Sequence, residues 1–308
     1  MRSRLGVLYA KVEASYGVDS VPTGAANALI AHDVKLDPDH GVNERSDLSV
    51  TKSRLKEIGG KRKYKLSFYV HLRGSGAAGT APKGIGDLLK ASDLTETVSA
   101  GVSVTYTPRS GTLQSCTIYV FMDGVRHVLT GCVGDFEIGG KAGEIGMVKF
   151  TLSCLYATPT DQALPATPTY DTTVPVSLKN LTATLDAYAA VIREFSLKMN
   201  NKITERGDLA ALHGIKGFDV TDRNPEGEIT IEATTIAVKN WYTKFEADTV
   251  QVLSIAIGAS AGNICTITAN QCRLRNIPYD DEDGILVHKL PFQMARSASD
   301  DELAIVFT

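Results

Sequence analysis

The sequence predicts a mainly β protein built from two tandem β-sandwich domains, each with one flanking helix. Three observations carry that prediction. Apolar and polar residues alternate along most of the chain, a proline-rich segment divides it near the middle, and the two halves so defined repeat one order of elements.

Alternation is clearest from Tyr64 to Arg73, where Leu66, Phe68, Val70 and Leu72 share one face while Lys65, Ser67, Tyr69, His71 and Arg73 share the other. That is the mark of an antiparallel strand wet on one side. Ser115–Met122, Val125–Cys132, Met147–Tyr156, Val250–Ile257 and Ile285–Phe292 read the same way. Asp123-Gly124 sits between two of these runs and suits a tight type I′ hairpin, whose central residues both need positive φ. Helical spacing occurs once per half, at Ile85, Leu88 and Leu89 and at Val238, Trp241, Tyr242 and Phe245.

The segment Tyr156 to Asn180 holds Pro159, Pro165, Pro168 and Pro175, four of the chain's eleven prolines, interleaved with threonine and almost no charge. It reads as a linker, giving a first domain with an N-terminal arm over 1–156, a linker over 157–180 and a second domain over 181–308. The halves match at a period of about 160 residues, which implies duplication of a whole domain. Asn43-Glu44-Arg45-Ser46-Asp47-Leu48 matches Thr204-Glu205-Arg206-Gly207-Asp208-Leu209, each after a strand-like run, Ala28–Leu36 and Ala190–Met199. Further on, Lys65-Leu66-Ser67-Phe68 matches Glu228-Ile229-Thr230-Ile231, and a helical patch follows each. Asp37–Lys63 and Asn200–Gly227 are expected to be long charged loops, and recurrence in both halves points to contact with a partner.

Composition narrows function by exclusion. The 308 residues are 43% apolar and 22% charged, with a formal net charge of −3, which excludes a disordered chain and gives no basic field for gripping phosphate backbones. No apolar run reaches membrane-spanning length, and the basic opening meets Glu13 before an export signal could form. The five cysteines, an odd number without a CxxC pair, read as reduced core thiols.

Three motifs resemble catalytic or metal sites and fail on context. Gly74-Ser75-Gly76-Ala77-Ala78-Gly79 fits GxGxxG, but Pro82 and Gly84 interrupt the helix that should follow and no βαβ alternation exists, so it reads as a flexible loop. Gly258-Ala259-Ser260-Ala261-Gly262 fits GxSxG with Asp280, Asp283 and His288 downstream, but it leads into another β run and reads as a turn. Asp280-Asp281-Glu282-Asp283-Gly284 lacks the calcium-loop spacing, and His32, His40, His71, His127, His213 and His288 lack zinc spacing and read as surface or strand residues. The reading is therefore of a protein that is not an enzyme and carries no cofactor.

Several stretches together resemble the major tail tube proteins of long, non-contractile bacteriophage tails. They are LYAKVEASYGVDSVPTGAANAL at Leu8–Leu29, FYVHLRGSGAAGTAP before LLKA, VTYTP before TIYVFMDGVRHVLTG, FTLSCLYATPTDQALP, and the later YDDEDGI and DELAI. The resemblance implies tube domains whose sheets join around a ring into a β-barrel-lined channel, with rings stacked into a tail. Single-domain relatives form hexamers, so a fused pair implies a homotrimeric, pseudo-hexameric ring, with six chains as the alternative. It implies a tape measure protein and a tail terminator as partners, DNA passing without sticking, no membrane, and a virion tail assembled in the bacterial cytoplasm. Glu44, Arg45, Asp47, Glu205, Arg206 and Asp208 become candidates for ring-to-ring contact. Asp135, Glu137 and Glu144, with Asp280, Asp281, Glu282 and Asp283, become candidates for an acidic lumen or rim. The alternatives are the tube of a contractile tail or secretion machine, and an adhesive or carbohydrate-binding double sandwich. The last lacks an aromatic platform, because Trp241 falls on the helix's apolar stripe.

Overall fold

A computed structural model describes residues 5–308. The first half runs β1 (Gly6–Val12), a single helical turn α1 (Gly24–Asn27), β2 (Ala28–Leu29), β3 (His32–Asn43), β4 (Ile58–His71), α2 (Ile85–Ala91), β5 (Leu94–Ser99), β6 (Ser103–Pro108), β7 (Cys116–Met122), β8 (Val125–Lys141) and β9 (Met147–Leu155). After β10 (Thr160–Asp161) come β11 (Thr182–Leu185), β12 (Ile192–Lys198), β13 (Asn201–Gly207), β14 (Ile215–Arg223), β15 (Glu226–Glu232), α3 (Trp241–Glu246), β16 (Gln251–Ile257), β17 (Cys265–Leu274), β18 (Tyr279–Glu282), β19 (Ile285–Met294) and β20 (Ala304–Phe307).

Each half is a sandwich made by one long strand that turns a corner. In the first half, the start of β8 pairs with β7 and through it with β1, while its end joins β9, β4 and β3. The ladder slips between Thr130 and Val133, where Gly131 takes φ 56°. A bulge there lets one strand serve two sheets. In the second half β17 plays the same part, pairing with β16 at its start and β19 at its end, and β19, β15 and β12 continue the sheet. Leu66, Phe68, Phe136 and Phe150 fill one interior, and Ile229, Ile255, Ile267 and Phe292 fill the other. The alternation of these residues with polar ones is what commits each strand to a single core face.

The helices close the sandwiches unequally. α2 buries Ile85, Leu88 and Leu89, whereas α3 buries only Trp241 and leaves Phe245 exposed. Asn240 caps α3 by accepting from the Thr243 N–H. Trp241 lies in the core, as its place on the apolar stripe requires. The first half also contains α1, so its helix content exceeds the single helix expected. Its N-cap Thr23 explains that turn. The Asp123-Gly124 hairpin is formed with both residues at positive φ.

Two further expectations are corrected. The long stretches are only partly loops: β3 and β4 extend to Asn43 and Ile58, and residues 200–227 hold the hairpin β13–β14. Charged residues at alternate positions had masked its strand character. Cys132 and Cys154 form a disulfide across β8 and β9, with Cα atoms 4.1 Å apart. A ladder contact, not sequence spacing, brings them together. Cys116, Cys265 and Cys272 are buried thiols, and burial pushes the last two up to about 12. His288 is a strand residue, as read from the sequence, and is buried within β19 with its Nδ1 3.3 Å from Pro278 O.

The first half also lends strands to the second. The β5–β6 hairpin has no counterpart between α3 and β16, and β6 pairs with β20, which pairs with β17. The outer sheet of the second half therefore runs β11–β16–β17–β20–β6–β5. The proline-rich segment is packed: Val176 donates its N–H to Leu72 O, and Leu178 is buried beside Gly140, where a Cβ would meet its Cδ1 at 2.5 Å.

Candidate assembly surfaces

The main surface follows from alternation. With Leu66, Phe68, Phe150, Phe195 and Leu290 committed to the cores, the intervening residues of β3, β4, β9, β8, β12, β15 and β19 share the opposite, polar face of one sheet that runs through both halves. Lysines and carboxylates interleave on it. Lys63 and Lys65 lie 3.6 and 3.4 Å from Asp39, Lys141 lies 3.5 Å from Glu194, Lys198 3.4 Å from Glu137 and Arg275 2.7 Å from Glu226. Such exposed pairs add little stability individually, but together they leave the face without a field of one sign.

Of the acidic candidates, Asp135, Glu137, Asp280 and Glu282 lie on this face. Asp280 pairs with Lys289, and Glu282 lies 3.1 Å from Arg193. Glu144 and Asp283 occupy turns at one end of the strands, and the Asp281 side chain accepts the Gly284 N–H. Burial pushes Asp135 up to about 6, against N–H groups of Asn201, Phe136 and Asn200 that stabilise its charge.

The halves join where the end of β8 pairs with β12. Lys141, Gly140, Gly139, Ile138 and Glu137 face Glu194, Phe195, Ser196, Leu197 and Lys198 in register. Gly139 is required there, since a Cβ would meet Phe195 O at 2.5 Å. Ion pairs Lys198–Glu137 and Lys141–Glu194 bracket the seam, and Ser196 donates to Glu137. Beyond the seam the sheet has two ends, the outer side of β3 and the outer side of β18.

The ring-contact candidates divide between two arms. Glu44, Arg45 and Asp47 lie past the end of β3 on an exposed segment over 44–57, where Arg45 pairs with Asp47 at 2.8 Å and Glu44 approaches Arg54 at 3.6 Å. Glu205 and Arg206 lie within β13, and Asp208 accepts the Ala210 N–H in the turn beyond. Glu205 is fastened to the first arm, accepting from Lys61 at 2.7 Å and Lys63 at 2.9 Å, which hold its carboxyl below the usual range. The second arm is docked on the first half. Ile215 and Phe218 pack with Val133 and Leu155, and the Phe218 N–H donates to Tyr16 Oη. The matched leucines, Leu48 and Leu209, are both fully exposed.

Sequence reading missed Glu13 and Tyr16. Glu13 is buried and accepts from Ser115, Thr117, Gly131 N–H and Gly17 N–H, while Tyr16 donates to Gly131 O. Together they tie the segment after β1 to the corner of β8 and to the second arm. An acidic residue placed directly after the apolar run of β1 was the available signal. The two glycine-rich motifs fold against each other: Gly76 N–H donates to Gly262 O at 2.9 Å and Gly74 N–H to Asn263 Oδ1 at 2.8 Å. A Cβ on Gly262 would meet Gly76 C at 2.3 Å. The GxGxxG segment is thus a packed interface between halves instead of a flexible loop, and Ser260 sits in the β16–β17 turn.

A mainly β chain with a polar, charge-interleaved sheet and two projecting arms has the makings of an assembly subunit. The family model described as phage tail tube protein matches residues 3–294, and the chain belongs to that family. Members are structural components of the virion tail that assemble into a tube. No curated protein matched the chain. Among the described residues no helix is long and apolar enough to cross a membrane.

Proposed function

We propose that three copies of this chain close a ring, and that stacked rings form the tail tube through which DNA leaves the particle. The carrying observation is the β8–β12 seam, which makes one sheet out of four strands from each half and leaves an open strand at each end. An open edge is a template for further pairing, and closing the sheet on itself removes it. Two domains per chain make three chains equivalent to a six-domain ring.

The polar face of that sheet becomes the channel wall. Interleaved charges suit a wall that must not hold a polyanion, since net basic contacts would strengthen with each ring passed. The arms become the contacts between rings, with Glu44, Arg45, Asp47, Arg206 and Asp208 near the next ring. Assembly in the host cytoplasm, a long non-contractile tail, a tape measure protein and a terminator complete this reading. Electron microscopy of concentrated protein tests it: class averages should show hollow three-fold rings with six lobes. Rings of six chains and twelve lobes, or a monomer at every concentration, would overturn it.

A further inference from the structure

The two open edges can be compared with the closed seam residue by residue, because the repeat fixes which positions correspond. Lys63 of β4 corresponds to Glu226 of β15; their partners on the adjoining strand are Asp39 and Lys198. Asp39 therefore occupies on the open edge the place that Lys198 occupies in the seam. On the other side, Phe150 and His288 face the corresponding residues Phe68 and Ile231, and their own partners are Phe136 and Tyr279. Asp280 therefore stands where Glu137 stands. The next same-face positions give Asp37 for Ser196 and Glu282 for Gly139.

From this correspondence we infer that joining β3 of one chain to β18 of the next sets Asp39 directly against Asp280, and Asp37 against Glu282, so that the edges resist closing until that charge is screened. The inference rests on the ring reading above. Inside the chain the same place holds the Lys198–Glu137 ion pair at 3.4 Å, and the Lys141–Glu194 pair beside it has no counterpart, since Lys35 would meet Gly284. The neighbouring cations, Lys63, Lys65, Lys289 and Arg193, belong to each carboxylate's own chain and offset the repulsion without pairing across the join. Like charges directly opposite on adjacent strands disfavour pairing, and a charged edge guards a sheet against unwanted growth. The two seams thus have opposite roles: one is permanently locked by opposite charges, and the other is held open by like ones.

Sedimentation velocity over a concentration series, at low and at high sodium chloride, tests this with the full chain, and thermal melts check that each variant is folded. The wild type should form rings at a lower concentration in high salt. Asp39→Lys, which recreates the locked seam, should form them at about tenfold lower concentration than the wild type in low salt, because three joins gain a pair. Asp280→Lys should do likewise, and the double variant, with lysine facing lysine, should lose the gain. Equal thresholds for all four proteins, or a double variant that closes best, would overturn the inference while leaving the ring intact. If no variant forms rings at any salt, the ring reading itself fails and the inference with it.

Discussion

The two arms carry one motif, Glu-Arg-x-Asp-Leu, yet only one of them is docked. In the second arm Ile215 and Phe218 reach Val133 and Leu155, and Glu205 reaches two lysines across the division. In the first arm Glu44 and Arg45 meet only local partners, and Leu48, Val50 and Leu55 face outward. The motif therefore does not dock an arm; the apolar residues on the returning strand do. Counted back from the Lys65–Glu228 match, Phe218 takes the place of Leu55, and its aromatic side chain is what closes over Val133.

The strongest way to break this comparison is to truncate the corresponding residues. Phe218→Ala should destabilise the subunit by about 3–5 kcal/mol, as for other buried aromatic truncations, while Leu55→Ala should stay within about 0.5 kcal/mol. Denaturant unfolding of both variants measures the difference, and equal effects would show that the second arm's docking contributes nothing.

Reversing Arg45 and Arg206 together to Glu addresses what the arms share. If they contact the next ring, like charges should cost on the order of a few kcal/mol per desolvated contact, shortening tubes while subunit melting stays unchanged. A lowered melting temperature with tubes of normal length would assign both arginines to their own subunit.

A smaller effect should appear with pH at the root of the docked arm. Asp135, beneath Asn200 and Asn201, holds its proton up to about 6 in the folded chain, against roughly 4 when unfolded. The folded state thus binds more protons between those values, and this residue's contribution to stability falls as pH rises through that window. Asp135→Asn removes the fall. Its melting temperature should equal that of the wild type near the lower limit and exceed it by a few degrees at neutral pH.

The smallest difference separates the two motif glutamates. Glu205→Gln should cost roughly 0.5–1 kcal/mol at neutral pH, and Glu44→Gln nothing measurable. Because the lysines depress the Glu205 carboxyl, its contribution is present above the ordinary carboxylate range and disappears as pH falls through the lowered value. Melts of both variants across the acid range check the sign.

Much of this architecture was legible because strand periodicity survives in a sequence wherever one face is dry. The runs at Tyr64–Arg73 and Met147–Tyr156 became β4 and β9 for that reason. The hairpin β13–β14 was not legible, because most of its residues face solvent and only Ile203, Ile215, Phe218 and Val220 mark a buried side. Pairings between distant strands left no local trace: the Cys132–Cys154 bond, the β6–β20 ladder and the β8–β12 seam depend on what lies beside a strand. The acidic run at Asp280–Asp283 was visible as composition, but its division between face and turn required the register of β18 on β19.

The β6–β20 ladder has a consequence for the order of events during synthesis. Tyr106 must wait for Ile305, about 200 residues later, before its strand acquires a neighbour on that side. The β5–β6 hairpin is consequently left without its sheet until β20 has left the ribosome. A nascent or truncated copy lacking β20 would present that hairpin unfinished, so β20 serves as a check that synthesis has passed both halves.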